Sequence, residues 1–291
     1  MKSLLAVGTA AGALALAACS NSANATVSYT SHSGSDGRHV FDQDGDVSLM
    51  GSDMDISGRI GGDLSLIGSD LTISADVDGD MSLVGSDVEF DGSVGGEASI
   101  AGSDVDWRGA AERDVDIAGS DVNWSGSTGG SLSIAGSDVT IAGTVASDLD
   151  VAGSDIVIES SSRIDGDTSL AGSDLELFGT LNGDASLAGS SLHLTGAVNG
   201  RLIASLYPGS RWGRRWGGDN NGLARIDGAV GESSAICALR VEIGENANIS
   251  GTMAVFADEA PVYDNRRTEA NISYEALNGR ECNDVLEPYD R

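Results

Sequence analysis

The sequence predicts an all-β chain wound as a single-stranded parallel β-helix, a β-solenoid with coils of about 17 residues. Three observations predict it. The triplet Gly-Ser-Asp begins at Gly34, Gly51, Gly68, Gly85, Gly102, Gly119, Gly136 and Gly153, at one constant interval. Apolar residues recur at fixed places in each unit, in pairs spaced by two, the side-chain period of a strand. Gly, Ser, Asn and Asp fill the gaps and mark bends.

In the unit beginning at Gly51 the apolar places are Met54, Ile56, Ile60, Leu64 and Leu66. A unit of two or three short strands cannot bury a core alone. Stacked units can, because each strand pairs in parallel with its copy one coil on, ~4.8 Å away. The apolar columns then become ladders inside a tube. Constant coil length holds the register, since a slip of one residue would turn every inward side chain outward. Helical readings fail: there is no sustained 3.6 period, Gly numbers 41 of 291 residues, and β-branched residues fill the apolar places.

The phase survives interruptions. The triplet recurs at Gly172, two places late, and at Gly189 as Gly-Ser-Ser. Residues 158–164 (IESSSRI) read as an enlarged corner, and 243–249 (IGENANI) read the same way. Residues 225–238 supply most of a further coil. The solenoid is therefore expected over residues 34–257, about 12 coils, a rod of roughly 55–60 Å.

The N-terminal segment 1–18 reads as a secretory signal. Lys2 is its basic start, residues 4–16 are an apolar run too short to span a bilayer, and Ala17-Ala18-Cys19 closes it. Leu16-Ala17-Ala18-Cys19 resembles the lipobox of bacterial lipoproteins. That resemblance implies acylation of Cys19, which becomes the mature N-terminus and ties the chain to a membrane through lipid. Ser20 after the Cys, in place of Asp, implies the outer membrane in a Gram-negative envelope. Residues 19–33 are polar and small, and read as a tether.

Lys2 is the only lysine, so the rest of the chain has 15 Arg against 45 Asp plus Glu, a net charge of −30. Such a surface repels nucleic acid and anionic lipid. Only Arg38, Arg59, Arg108, Arg113 and Arg163 lie between residues 34 and 200. Residues 207–222 (YPGSRWGRRWGGDNNG) break the period and read as an inserted loop. Its Arg211, Trp212, Arg214, Arg215 and Trp216 form a basic aromatic cluster, and Arg and Trp are frequent anchors at interfaces. Two readings stay open: the loop packs its Trp on the solenoid wall, or it meets an anionic partner such as lipopolysaccharide phosphate.

Cys237 and Cys282 sit in a chain read as exported, where disulfides form, and are expected to pair. Residues 258–291 lose the period and read as a tail. A bond between the two cysteines would fold that tail back over the last coils and cap the open end.

Other candidates concern chemistry. Asp53, Asp70, Asp87, Asp104, Asp121, Asp138, Asp155 and Asp174 should stack along one edge. A hard cation such as Ca²⁺ could neutralise them, or Asp and Ser could simply bond turn backbone groups. No other metal set is evident, and no catalytic residues are assigned. His32, His39 and His193 are too scattered for a three-His centre, and no Ser-His-Asp grouping is present. The expectation is therefore not an enzyme. Trp107 and Trp124, one coil apart at a core place, read as stacked core aromatics, with a sugar-binding platform as the other reading.

The segments SGRIGGDLSL (57–66), ADVDGDMSL (75–83), FGTLNGDASL (178–187) and IGENANISG (243–251) resemble the repeats of bactofilins, bacterial polymer-forming cytoskeletal proteins. The resemblance covers most of the chain after residue 19. It implies a right-handed parallel β-helix able to stack end to end. The export signal and the regular Gly-Ser-Asp triplet depart from that family. The function expected is a structural or scaffolding lipoprotein of the cell envelope, with homo-oligomers as a possible state. The competing class is a surface adhesin or glycan-binding module using the Trp/Arg loop or a solenoid face, with its envelope protein or glycan partner open.

Overall fold

A computed structural model of the chain describes residues 30–33, 36–206, 222–264 and 266–289. The chain is a parallel β-solenoid of about 13 turns. Its strands form two sheets that run the length of the rod. Sheet A has 14 strands and sheet B has 22. Most turns give one strand to A and two short arms to B, as in Asp87–Phe90, Ser93–Val94 and Ala98–Ala101. In the early turns the two arms are one continuous strand, Asp53–Ile60 and Asp70–Val77.

Register is strict. One inward column reads Ile56, Ile73, Phe90, Trp107, Trp124, Ile141, Ile158, Leu177, Leu194, Ile226 and Ile243, each residue opposite the next. All are buried. Met54, Ile56, Ile60, Leu64 and Leu66 are buried together, so the sequence places for the core hold. Burying one such side chain contributes about 1.5–3 kcal/mol, and each ladder repeats that gain turn after turn.

The interruptions leave the register intact. Val145 pairs with Ile164 and Val230 with Ile249 across lengthened coils, because the enlarged corners bulge outward. Ser162 tucks its hydroxyl into the first corner, donating to the Ile141 carbonyl at 2.7 Å. Ile203 pairs with Ala235, so the coil that follows residues 207–221 resumes in phase.

A second column organises the corner that leads into sheet A. The Asp63 backbone N–H donates to the Asp46 carboxylate at 3.0 Å, Asp80 to Asp63 at 2.9 Å, and Glu97 to Asp80 at 2.9 Å. The pattern resumes from Ser131 to Asp114 and from Asp184 to Asp167. Each carboxylate lies beside the glycine that precedes the donor. A Cβ on Gly79 would stand 2.2 Å from Asp63 Oδ1, so the Gly-Asp pair is a steric requirement of the corner.

Both ends run further than the sequence pattern places them. Thr30–Ser33, expected in the tether, pairs in parallel with Val47–Met50. At the other end, where the sequence loses its period after residue 257, Val262–Tyr263 pairs with sheet B and Ile272–Ala276 with Met253–Ala257. That last coil is hard to read because its corner is a 3-10 helix, Arg266–Asn271, with no Gly-Ser-Asp. The extra rungs bring the count from about 12 to about 13.

The tail folds back over the last coils as expected, but it does not cap the open end. After Leu277 the chain reverses through Asn278 and Gly279, both at positive φ, into a short helix, Cys282–Leu286. The helix lies on the outer face of sheet A, against the flank of the rod and not over its end. The reason lies in the outward residues. They are Ser65, Ser82, Ser99 and Ser133 early in sheet A, but Ile203, Ala235, Cys237, Ala254 and Phe256 near the C-terminal end. Those apolar groups need a cover, and Leu277, Cys282, Val285 and Leu286 supply it as a small second core. Cys237 and Cys282 are joined by a disulfide, with Cα atoms 5.5 Å apart.

Candidate functional site

The Gly-Ser-Asp carboxylates form a continuous external ladder. Asp53, Asp70, Asp87, Asp104, Asp121, Asp138, Asp155 and Asp174 pair in register, and all are exposed. The corner itself is built by backbone. The N–H groups of Ser86 and Asp87 both donate to the Ser69 carbonyl, and the same fork recurs at Ser103 and Asp104 on Ser86. The triplet Asp side chains are thus not the turn's fasteners, with Asp36, which accepts the Ser52 N–H, as the exception. That fastening belongs to the Gly-Asp column.

Stacked carboxylates at the rung spacing disfavour ionisation of their neighbours. Asp70 is held above the usual carboxylate value by side-chain hydrogen bonding with Asp53, by desolvation, and by the hydrogen bonding and charge of Asp87. Asp104 is raised by sharing with Asp87 and Asp121. Asp155 is raised by desolvation and by the charges of Asp174 and Asp138. The ladder ends where Ser191 takes the Asp place and donates its hydroxyl to Asp174. Among the described residues, no three His, Cys, Asp or Glu side chains are grouped to hold a metal ion.

Nor do the histidines meet. His39 stacks on Phe41 at 6.2 Å, and His193 meets Phe178 edge-on at 5.9 Å. Nine successive strand pairings separate them along sheet B. His193 lines an open groove of about 600 Å³ with Asp155, Asp174, Glu176 and Arg225. The groove is a stretch of the sheet B wall rather than an enclosed cleft.

Trp107 and Trp124 are core residues, 0% and 1% exposed, which removes them as a sugar platform. Trp107 stacks on Phe90 with ring centroids 4.3 Å apart. Room for these rings comes from glycine: a Cβ on Gly109 would lie 2.2 Å from Phe90, and one on Gly126 would lie 2.7 Å from Trp107 Nε1. Trp107 Nε1 donates to the Gly109 carbonyl at 3.0 Å, whereas Trp124 Nε1 is buried without an acceptor.

Arginines on the rod sit among carboxylates. Arg59 bridges Asp44 and Asp78, Arg108 contacts Glu89, and Arg201 pairs with Asp184 at 2.7 Å. Exposed pairs of this kind contribute little each, about 0–1 kcal/mol, and chiefly order the charged surface. Cys19 and the cluster Arg211, Trp212, Arg214, Arg215 and Trp216 lie outside the described residues. On either side of them, Leu206 ends a strand of sheet A and the Gly222 N–H donates to the Ser190 carbonyl.

The two ends carry the remaining candidate surfaces. Among the described residues, each terminal strand pairs with one neighbour: Thr30–Ser33 with Val47–Met50, and Gly37–Gln43 with Asp53–Ile60. At the far end the same holds for Val262–Tyr263 and Ile272–Ala276. Val40, Val262 and Tyr274 stand exposed on these end strands. Beyond Val262–Tyr263 and Ile272–Ala276 no further strand follows among the described residues, and a further rung would sit there along the rod axis.

Comparison with known protein families, with curated proteins and with solved structures finds no match.

Proposed function

We propose that the protein is a lipid-anchored structural rod of the cell envelope, able to assemble through the unpaired strands at its ends. The observation that carries this reading is that the end strands run parallel in the same sense and, among the described residues, no strand follows the last rung. A second copy placed head to tail would continue both sheets. The bactofilin-like coils and the lipobox-like residues before Cys19 support the same reading. The exposed ladder of carboxylates supports a solubilising role along the flank, since a strongly charged surface resists side-by-side association.

In this account the chain's work is mechanical. Lipid on Cys19 fixes one end, and the stacked coils set a fixed length. The inserted loop with Arg211, Trp212, Arg214, Arg215 and Trp216 would offer a positively charged contact to an anionic envelope component. No reacting group is assigned.

The anchor is tested by expressing the full chain and a Cys19→Ser variant and fractionating the cells. The reading expects the unaltered protein in the membrane fraction, with an acyl mass on a peptide that begins at Cys19, and the variant released. An unmodified Cys19 in soluble protein would overturn it.

A further inference from the structure

Residues 277–289 differ from the rest of the chain in how they are held. The coils between the two ends are held by ladders of backbone hydrogen bonds on both sides. This segment rests on the outside of sheet A and adds no strand to it. Its helix, Cys282–Leu286, has five residues. A helix that short does not persist by itself in water, so its order comes from what it touches.

At its root the Leu277 N–H donates to the Ala257 carbonyl and Arg280 pairs with Glu275; beyond that root, three attachments hold it. Cys237 and Cys282 are bonded, and both are buried. Val285 and Leu286 pack with Ala235, Ala254 and Phe256. Tyr289 meets Phe256 edge-on at 6.0 Å, and its carbonyl accepts a hydrogen bond from Arg201 at 3.1 Å. The approach to the segment is a natural hinge: Asn278 has φ +50° and Gly279 φ +84°, and nothing lies within 4 Å of a Cβ placed on Gly279. Beneath the segment is an apolar stretch of outward-facing sheet A formed by Ile203, Ala235, Ala254 and Phe256.

We propose that residues 277–289 are a redox-releasable strap: reduction of the Cys237–Cys282 bond frees them from sheet A and bares the apolar flank beneath, without unwinding the rod. Two electrons and two protons convert the bond to two thiols. A dithiol reductant supplies both and closes to its own disulfide. The few apolar contacts that remain cannot offset the entropy of ordering the segment without the covalent tie. The rungs beneath keep their own ladders, so sheet A stays wound. Because both sulfurs are buried, the reductant reaches them only when the strap opens. Packing of the strap therefore sets how fast the bond is lost. Release would lengthen the open flank of sheet A by the three strands Leu202–Leu206, Ser234–Ala238 and Met253–Ala257.

The test is amide hydrogen exchange on the full-length protein before and after treatment with a dithiol, with the thiols then alkylated. The expected result is loss of protection across residues 277–289 to within about tenfold of a free peptide. Protection in Leu64–Ile67 and Ala185–Ala188 stays unchanged, and binding of an apolar fluorescent dye rises. A strap that keeps its protection after reduction would overturn the proposal, since packing alone would then hold it. Loss that spreads into Ala185–Ala188 would also overturn it, because the bond would then staple the rod as a whole. A Leu286→Ala variant, still oxidised, should release its thiols several-fold faster at the same dithiol concentration. An unchanged rate would contradict gating by the strap.

Discussion

The Asp63 carboxylate accepts the backbone N–H of Asp80, one coil on, at 2.9 Å. The relationship repeats along the rod and explains why Gly precedes Asp at this corner. The carboxylate of the coil below fills the space a Cβ would need. Gly79→Ala should therefore destabilise the rod by about 1–3 kcal/mol, the range for overpacking against fixed neighbours. Gly153→Ala, in the conspicuous triplet, should cost less, because its nearest neighbours lie at 3.2–3.3 Å. Denaturant unfolding of both variants checks the order.

Removing the acceptor should show the same corner from the other side. Asp167→Ala leaves the Asp184 N–H without its carboxylate partner. A loss of about 1 kcal/mol is expected, and Asp167→Asn, which keeps an acceptor oxygen, should lose less. Thermal unfolding of the pair separates the hydrogen bond from the charge.

The two core tryptophans should respond differently to Phe. Trp107→Phe removes the bond to the Gly109 carbonyl and shrinks the ring that stacks on Phe90. Trp124→Phe removes a buried donor that has no acceptor. Both substitutions lose packing, so Trp124→Phe should be milder by about 1 kcal/mol. Equal losses in denaturant unfolding would contradict the assigned hydrogen bonding.

The carboxylate ladder sets an unusual pH response. Asp70, Asp104 and Asp155 bind protons more tightly in the folded rod than their ordinary value of 3.8. Their contribution is fully present below that value and is lost as pH rises through the raised folded values. Asp184 runs the other way. The backbone N–H and guanidinium of Arg201 hold it low, so its contribution is lost as pH falls below 3.8. Tm should accordingly rise as pH falls from 7 toward 4, then turn down. Asp87→Asn, which removes the charge between Asp70 and Asp104, should raise Tm at pH 7 and flatten the rise. A Tm that falls steadily over that range contradicts the ladder.

Much of this architecture is legible in the sequence because the coil is short and repeated. Each inward place from Met54 to Leu66 recurs, so periodicity alone locates the core and the enlarged corners at 158–164 and 243–249. The final coil is not legible, since Arg266–Asn271 replaces the usual corner and Val262 is solvent-facing. The triplet also misleads. Its Asp side chains are conspicuous, yet backbone forks build their corner, and the quieter Gly-Asp column makes the side-chain bonds. The tail's destination depends on an outward change from Ser to Ile203, Ala235 and Phe256. Inward periodicity does not register that change.

The central claim, a rod that assembles by its ends, is tested most directly by sedimentation velocity with negative-stain microscopy on the chain from Ser20. The account predicts a concentration-dependent series of head-to-tail oligomers or filaments, whose repeat matches one rod of roughly 60 Å. It also predicts loss of that series when Tyr274→Pro removes a backbone donor that faces the next rung from the last strand of sheet A. A single monomeric species across the concentration range, with and without calcium, would contradict it.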